Sequence, residues 1–207
     1  MKLFFAPAVL FFSLCLPNFC LAGPEGTTSV APSPFDVGHN ELEFSGRYFY
    51  SPVITIGHRP VWTWGEGDVS WGLMLNSPTG PGLLRGNWEF LVNSFGAGII
   101  RGPGSYLLGS RAQIRYNFVQ PQSRFVPFIT LGFGGLLNDA FQNRSQCMIG
   151  GRFEFTLTAE GGVRYFITNH WTLNATVNFQ HISNAGTCTR NEGANGLGAG
   201  MGFGYIF

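Results

Sequence analysis

Between Trp171 and Ser183 apolar and polar side chains alternate without a break. One parity reads Trp171, Leu173, Ala175, Val177, Phe179, His181 and Ser183. The other reads Thr172, Asn174, Thr176, Asn178 and Gln180. Successive side chains of a strand point to opposite faces, so this segment has one greasy wall and one polar wall. The pattern recurs at Tyr106–Phe118, where Arg111, Gln113, Arg115 and Asn117 occupy the polar parity, and at Phe153–Tyr165, with Glu154, Thr156, Thr158, Glu160 and Arg164. It also closes the chain, where Leu197, Ala199, Met201, Phe203, Tyr205 and Phe207 alternate with glycine. Eight such segments are read, at roughly 41–50, 61–76, 86–95, 105–118, 124–137, 151–166, 170–183 and 196–207. After Ala22 no apolar run reaches the ~20 residues of a membrane helix.

Alternating strands of about 9–11 residues or more, with one face apolar, are the signature of a membrane barrel. In lipid every backbone group must find a partner, so the sheet has to close on itself. The expected fold is therefore all-β, an eight-stranded antiparallel transmembrane β-barrel of the outer membrane. A barrel of that size has a filled interior. The predicted filling is Glu89, Arg111, Arg115, Glu154, Glu160 and Arg164, whose mixed signs suggest an ion-pair network rather than a pore. Composition agrees: charged residues make up 11% of the chain, against ~25% in soluble domains. A soluble barrel or sandwich is the competing architecture. It would require the parity rich in Phe and Trp to face a packed core.

Met1-Lys2, the apolar run Leu3–Leu16 and Cys20-Leu21-Ala22 have the layout of a secretory signal peptide over residues 1–22. A retained anchor helix is the alternative, but Pro7 and Pro17 interrupt the run and no stop charge follows. A lipoprotein site at Cys15 or Cys20 fits less well. Residues 23–40 read as an N-terminal periplasmic arm and residues 41–207 as the barrel. Lys2 is the only lysine, so its removal leaves 12 − 1 = 11 basic residues against 11 acidic ones. A chain with no net charge offers nothing to a nucleic-acid partner. With both termini in the periplasm, the connections near 51–60, 96–104, 138–150 and 184–195 fall outside. Cys147 and Cys188 then share the outer side, and an even pair in an oxidising compartment is a disulfide candidate. Phe207 looks like the terminal aromatic by which outer-membrane proteins are recognised by the barrel assembly machinery. Whether the barrel acts alone or as a homodimer is open at this stage.

The run Gly196–Gly202 invites a nucleotide-binding reading, but its period is two and no helix follows it. Asn143-Arg144-Ser145 and Asn174-Ala175-Thr176 match a glycosylation pattern that is foreign to this compartment. His39, His58 and His170 stand alone, and no spacing resembles a metal site. The segment His181-Ile182-Ser183-Asn184-Ala185-Gly186 differs. Residues two apart on a strand share a face about 6.6 Å apart, so the imidazole can serve as base to the hydroxyl. Asn184 could donate its amide to an oxyanion. The competing reading is a turn opened by Ser-Asn-Ala-Gly, with His181 an interfacial residue.

On these residues, on Asn191-Glu192-Gly193-Ala194-Asn195 and on the glycine-alternating last strand ending Gly204-Tyr205-Ile206-Phe207, the chain resembles the lipid A 3-O-deacylase family, often labelled acyloxyacyl hydrolase-like. Gly46-Arg47-Tyr48 and Gly86-Asn87-Trp88-Glu89-Phe90 extend the likeness more loosely. The resemblance implies an outer-membrane esterase, without metal or cofactor, that removes the ester-linked 3-O-acyl chain of lipid A. Lipopolysaccharide and the surrounding outer-membrane lipids would be its partners. It implies Ser183 as nucleophile, His181 as base and Asn184 as oxyanion donor. Where the family carries a glutamate that orients the histidine, this chain has Asn195; Glu192 is the alternative acid. An amide accepts a hydrogen bond from imidazole but does not stabilise imidazolium by charge. A catalytically impaired or non-catalytic barrel, structural or adhesive, is therefore the second reading, and a small transport or ligand-binding barrel the third.

Overall fold

The structure, a computed structural model, describes residues 33–51 and 60–207. The predicted signal peptide and residues 23–32 of the arm lie outside the described residues. The strands are β1 (Asn40–Ser51), β2 (Trp62–Met74), β3 (Asn87–Arg101), β4 (Tyr106–Asn117), β5 (Phe125–Asn138), β6 (Phe153–Phe166), β7 (Trp171–Ser183) and β8 (Ala194–Ile206). Each pairs antiparallel with the next, and β8 returns to β1, so the barrel is closed. The expected eight-stranded architecture is what forms.

The alternation sorts the two faces as read. Leu108, Leu131, Phe133, Leu157, Val177 and Met201 project outward and exposed, while Arg115, Glu89, Arg164 and Gln180 are buried inside. A girdle of outward aromatics surrounds the end where β1 begins and β8 ends: Trp171 stacks on Phe203, Trp88 packs edge-on against Tyr116, and Phe125 packs at a tilt against Tyr165. Aromatic girdles of this kind mark the membrane–water boundary of lipid-embedded barrels.

Inside, two apolar plugs enclose a charged middle. At the terminal end Phe35 enters the mouth and packs with Met74, Val119, Val126, Phe166 and Ile206. The last residues of the arm thus belong to the barrel's stopper. At the other end Phe49, Trp62, Trp64, Phe95, Leu107 and Leu136 meet Ala140, Met148 and Ile149 of the β5–β6 loop, which folds into the opening. Between them Arg115 reaches Glu43 at 3.1 Å, Glu41 at 3.3 Å, Glu160 at 3.6 Å and Glu89 at 3.7 Å. Arg164 bonds Glu41 at 2.5 Å, Arg111 bonds Glu66 at 2.6 Å, and Arg47 pairs with Asp68 and Glu160. The network draws Glu41, Glu43, Arg47, Glu66 and Asp68 from β1 and β2, which the sequence reading had not assigned to the interior. Glu154 stands apart: it accepts the backbone N–H groups of Gly150 and Gly151 at 3.2 and 2.8 Å and so anchors the β5–β6 loop. A plugged, ion-paired lumen disfavours the transport reading.

Arg115 is the hub, so its removal leaves several buried carboxylates facing one another. Breaking a buried pair by removing one partner costs about 3–5 kcal/mol. Arg115→Met is expected to lower the midpoint of urea unfolding accordingly, read by the heat-modifiable gel shift of the folded barrel.

One boundary differs materially from expectation. β3 continues past residue 95 to Arg101 because Gly96 and Gly98 pair with Gly67 and Gly65 of β2 on one side and with Leu108 and Tyr106 of β4 on the other. A glycine-rich run reads locally as a loop, but neighbours on both sides hold it in the ladder. The connection that remains is the short Gly102–Ser105 turn, with Gly102 and Gly104 at φ 112° and 86°.

Candidate active site on the lipid-facing wall

β7 and β8 are joined by a connection over 184–193, and their register sets His181 directly opposite Asn195. On the other flank Leu157 of β6 lies opposite His181 and Phe155 opposite Ser183. The strand period places His181, Ser183 and Asn195 on the outward parity, at the end of the barrel away from Asn40 and Phe207. All three are half-buried. His181 Nε2 lies 3.0 Å from Ser183 Oγ, and His181 Nδ1 lies 2.7 Å from Asn195 Oδ1. Because Asn195 presents an acceptor oxygen, Nδ1 carries the proton, and Nε2 is left to accept the Ser183 hydroxyl. A nucleophile bonded to a base that is itself oriented by a third group is the arrangement of a serine hydrolase triad, here with an amide in the third place.

Several local features hold the imidazole. Gly193 takes φ +68°, and a Cβ there would stand 3.0 Å from His181 Cε1 and 3.1 Å from the Ile182 carbonyl. The ring lies against the bare backbone of the loop. Beneath Asn195, Gly196 makes room for Trp64, which stacks on Phe49 at 5.1 Å and supports β8 from inside. Sequence reasoning quoted Gly193 without giving it a role, and the signal was its position two residues before Asn195. Gly193→Ala combines a left-handed backbone cost of about 1–2 kcal/mol with a push on the imidazole. The substitution is expected to move the ring away from Ser183 by a few tenths of an ångström, read as a change in the His181 ring nitrogen chemical shifts.

The structure brings His181, Ser183 and Asn195 together, and it places the other nominated residues elsewhere. Asn184 is fully buried on the inward parity. Its amide nitrogen donates to the Arg190 carbonyl at 2.8 Å, its Oδ1 accepts the Gly186 N–H at 3.0 Å, and its own N–H donates to Asn191 Oδ1 at 2.8 Å. That side chain builds the turn, which corrects the expectation of an oxyanion donor: a residue next to Ser183 on a strand must face the opposite way. Glu192 is exposed, and its N–H donates to the Cys147 carbonyl at 3.1 Å. Asn195, three residues later, occupies the position at Nδ1.

The expected disulfide does not form, and Cys147 and Cys188 are free thiols. Cys188 packs over the glycine pair 150–151, while Cys147 is exposed. Arg190 joins the two outer loops instead, donating to the carbonyls of Phe141 at 2.6 Å, Asn143 at 2.9 Å and Gln146 at 3.2 Å. Near them, outside the barrel wall, Asp139 accepts hydrogen bonds from the Ser105 hydroxyl and from the N–H groups of Ser105 and Tyr106. Against a small desolvation penalty, these bonds hold its carboxyl below the usual aspartate range.

The family model "Lipid A 3-O-deacylase (PagL)" matches residues 58–204. The chain belongs to the lipid A 3-O-deacylase family. Membership and the closed barrel together place it in the bacterial outer membrane. Among solved structures, the outer membrane enzyme PagL is similar at 16% identity and a TM-score of 0.61, over 77% of this chain and 97% of that one. Neisserial surface protein A is similar at 16% identity and a TM-score of 0.57, over 82% and 97%. At such identity both show the fold alone, shared by an enzyme and a surface protein. No curated protein matches the sequence significantly.

Proposed function

We propose that this chain is an esterase of the outer leaflet that hydrolyses the ester-linked 3-O-acyl chain of lipid A. The observation that carries the reading is the pair of contacts on His181, Nε2 to Ser183 and Nδ1 to Asn195, on a wall that faces lipid. Ser183 Oγ attacks the ester carbonyl while His181 Nε2 takes its proton. The tetrahedral intermediate collapses, the sugar oxygen leaves with that proton, and the acyl group remains on Ser183. Water, deprotonated by the same nitrogen, then releases the fatty acid and restores the serine. Asn195 holds the reactive tautomer. With Asn184 committed to the turn, the oxyanion falls to a backbone donor. Ala185, at φ 52°, has an N–H with no hydrogen-bond partner among the described residues. The residues present require no metal or cofactor for this chemistry. Lipopolysaccharide is the substrate source.

The test is expression in a host whose lipid A keeps its 3-O-acyl chain, followed by mass spectrometry of lipid A. Loss of one hydroxyacyl mass is expected. Intact lipid A from correctly folded protein supports the second reading, a barrel of structural or adhesive role. The amide at Asn195, which cannot offset the imidazolium charge, is the observation that favours it.

A further inference from the structure

Three connections, 75–86, 118–124 and 167–170, lie at the end of the barrel away from Ser183, and none contains Asp or Glu. The first of them is built more firmly than a linker needs. Thr79 bridges to Gly86, and Gly82–Leu84 forms one 3-10 turn. Gln120 Nε2 of the neighbouring connection donates to the carbonyls of Gly82 and Leu83 at 3.2 and 3.3 Å, and Arg85 donates to the Val119 carbonyl at 2.7 Å. The Tyr116 hydroxyl donates to the Leu84 carbonyl at 2.6 Å. Tyr116 stands on the outward parity of β4, in the aromatic girdle, packed against Trp88 at 4.8 Å and Phe118 at 5.0 Å. Its hydroxyl therefore holds the turn beside the lipid-facing wall, at the depth of the girdle. A Cβ at Gly86 would collide with the Asn117 carbonyl oxygen and the Tyr116 ring, so glycine permits this close crossing. The turn's own apolar side chains are left uncovered. Leu83 is 84% exposed, the most of any large apolar side chain among the described residues, and Leu84 is 65% exposed.

We propose that the β2–β3 turn is a membrane anchor: Leu83 and Leu84 insert among the acyl chains of glycerophospholipids in the periplasmic leaflet, and Arg85 and Arg124 meet their phosphates. A single exposed leucine carries no meaning. Here two adjacent ones sit on a segment fixed by side-chain hydrogen bonds. Three observations select a phospholipid as what covers them. The turn is pinned to the girdle, on the lipid side of the wall. The carbonyls of Gly82, Leu83 and Leu84 all accept side-chain hydrogen bonds, which irregular backbone at that depth requires and a turn in water does not. The charge is complementary: Arg85 follows Leu84 directly, exposed Arg124 ends the neighbouring connection, and neither connection offers a carboxylate to compete with phosphate. Apolar side chains beside arginines are the composition of interfacial anchors. Lifting the turn would expose both leucines to water, so the anchor resists movement of the barrel along the membrane normal. The leaflet named rests on the esterase reading, which puts Ser183 in the opposite one; the insertion itself does not.

The experiment places the photoreactive residue p-benzoylphenylalanine at Leu83 of the full chain, and separately at Gln122, which is exposed in the neighbouring connection. Cells carrying the folded barrel, checked by its heat-modifiable mobility, are irradiated, and adducts are identified by mass spectrometry. Glycerophospholipid adducts several-fold above those at Gln122 are expected from position 83. Equal lipid labelling at the two positions, or crosslinks from position 83 chiefly to another protein, overturns the anchor. Adducts chiefly to lipid A would place this end in the outer leaflet; they overturn the leaflet assignment and the orientation behind the esterase reading together. Intact lipid A in the deacylation assay, with phospholipid adducts at position 83, sinks the esterase reading and leaves the anchor standing. A second measurement adds no bulk: Leu83→Asp combined with Leu84→Asp, unfolded by urea in phosphatidylethanolamine–phosphatidylglycerol vesicles. Substitutions at side chains exposed to water are close to neutral, whereas a lower urea midpoint is expected here because the leucines are covered by lipid. An unchanged midpoint overturns the proposal.

Discussion

Ser183→Ala is expected to abolish removal of the 3-O-acyl chain without disturbing the barrel. In serine hydrolases, loss of the nucleophile costs roughly 10⁶-fold in turnover. Ser183 is half-buried at the end of β7, outside both interior plugs, and among the described residues makes one side-chain hydrogen bond, to His181. The variant should therefore keep its heat-modifiable mobility and its urea midpoint while lipid A mass spectra retain the full acyl complement. Deacylation that persists in folded Ser183→Ala would remove Ser183 from the mechanism.

Asn195→Asp is expected to raise turnover. The amide oxygen already lies 2.7 Å from His181 Nδ1, so an isosteric carboxylate keeps the geometry and adds the missing charge. The charge favours imidazolium, the form His181 takes when Ser183 attacks. The reverse change in serine proteases costs about 10⁴-fold, which sets the ceiling; a gain of at least about tenfold is expected. Asn195→Glu supplies the acid that the resemblance implies at this position. Its extra methylene must fit a space that β7 and β8 hold at the reach of asparagine, so aspartate is expected to give the larger gain. If both substitutions fold and neither speeds hydrolysis, Asn195 is not the group that limits catalysis.

Much of this site was legible because its chemistry is short-range. A strand repeats every two residues, so His181 and Ser183 share a face whatever surrounds them, and the parity of Trp171–Phe179 identifies that face as the one in lipid. The same rule, applied one residue further, turns Asn184 inward, a step the oxyanion reading of that segment left out. The extra length of β3 was illegible for another reason. Gly96 and Gly98 offer no apolar pattern, and only pairing with β2 and β4 keeps them extended.

The sequence by itself determined the number of strands, the wall that faces lipid, the mixed-charge filling and the His–Ser pair, because alternation is local and lipid demands closure. Tertiary structure decided which residue reaches Nδ1. The 184–193 connection is too long to dictate a register, so nothing local distinguishes Asn195 from Glu192; twelve residues of β7 paired along β8 place Asn195 opposite His181. It also left Cys147 and Cys188 as free thiols and joined the outer loops through Arg190 and the plug at Ala140, Met148 and Ile149. These are contacts between segments distant in the chain, where hydrophobic burial and hydrogen-bond satisfaction are settled by neighbours that no local pattern names.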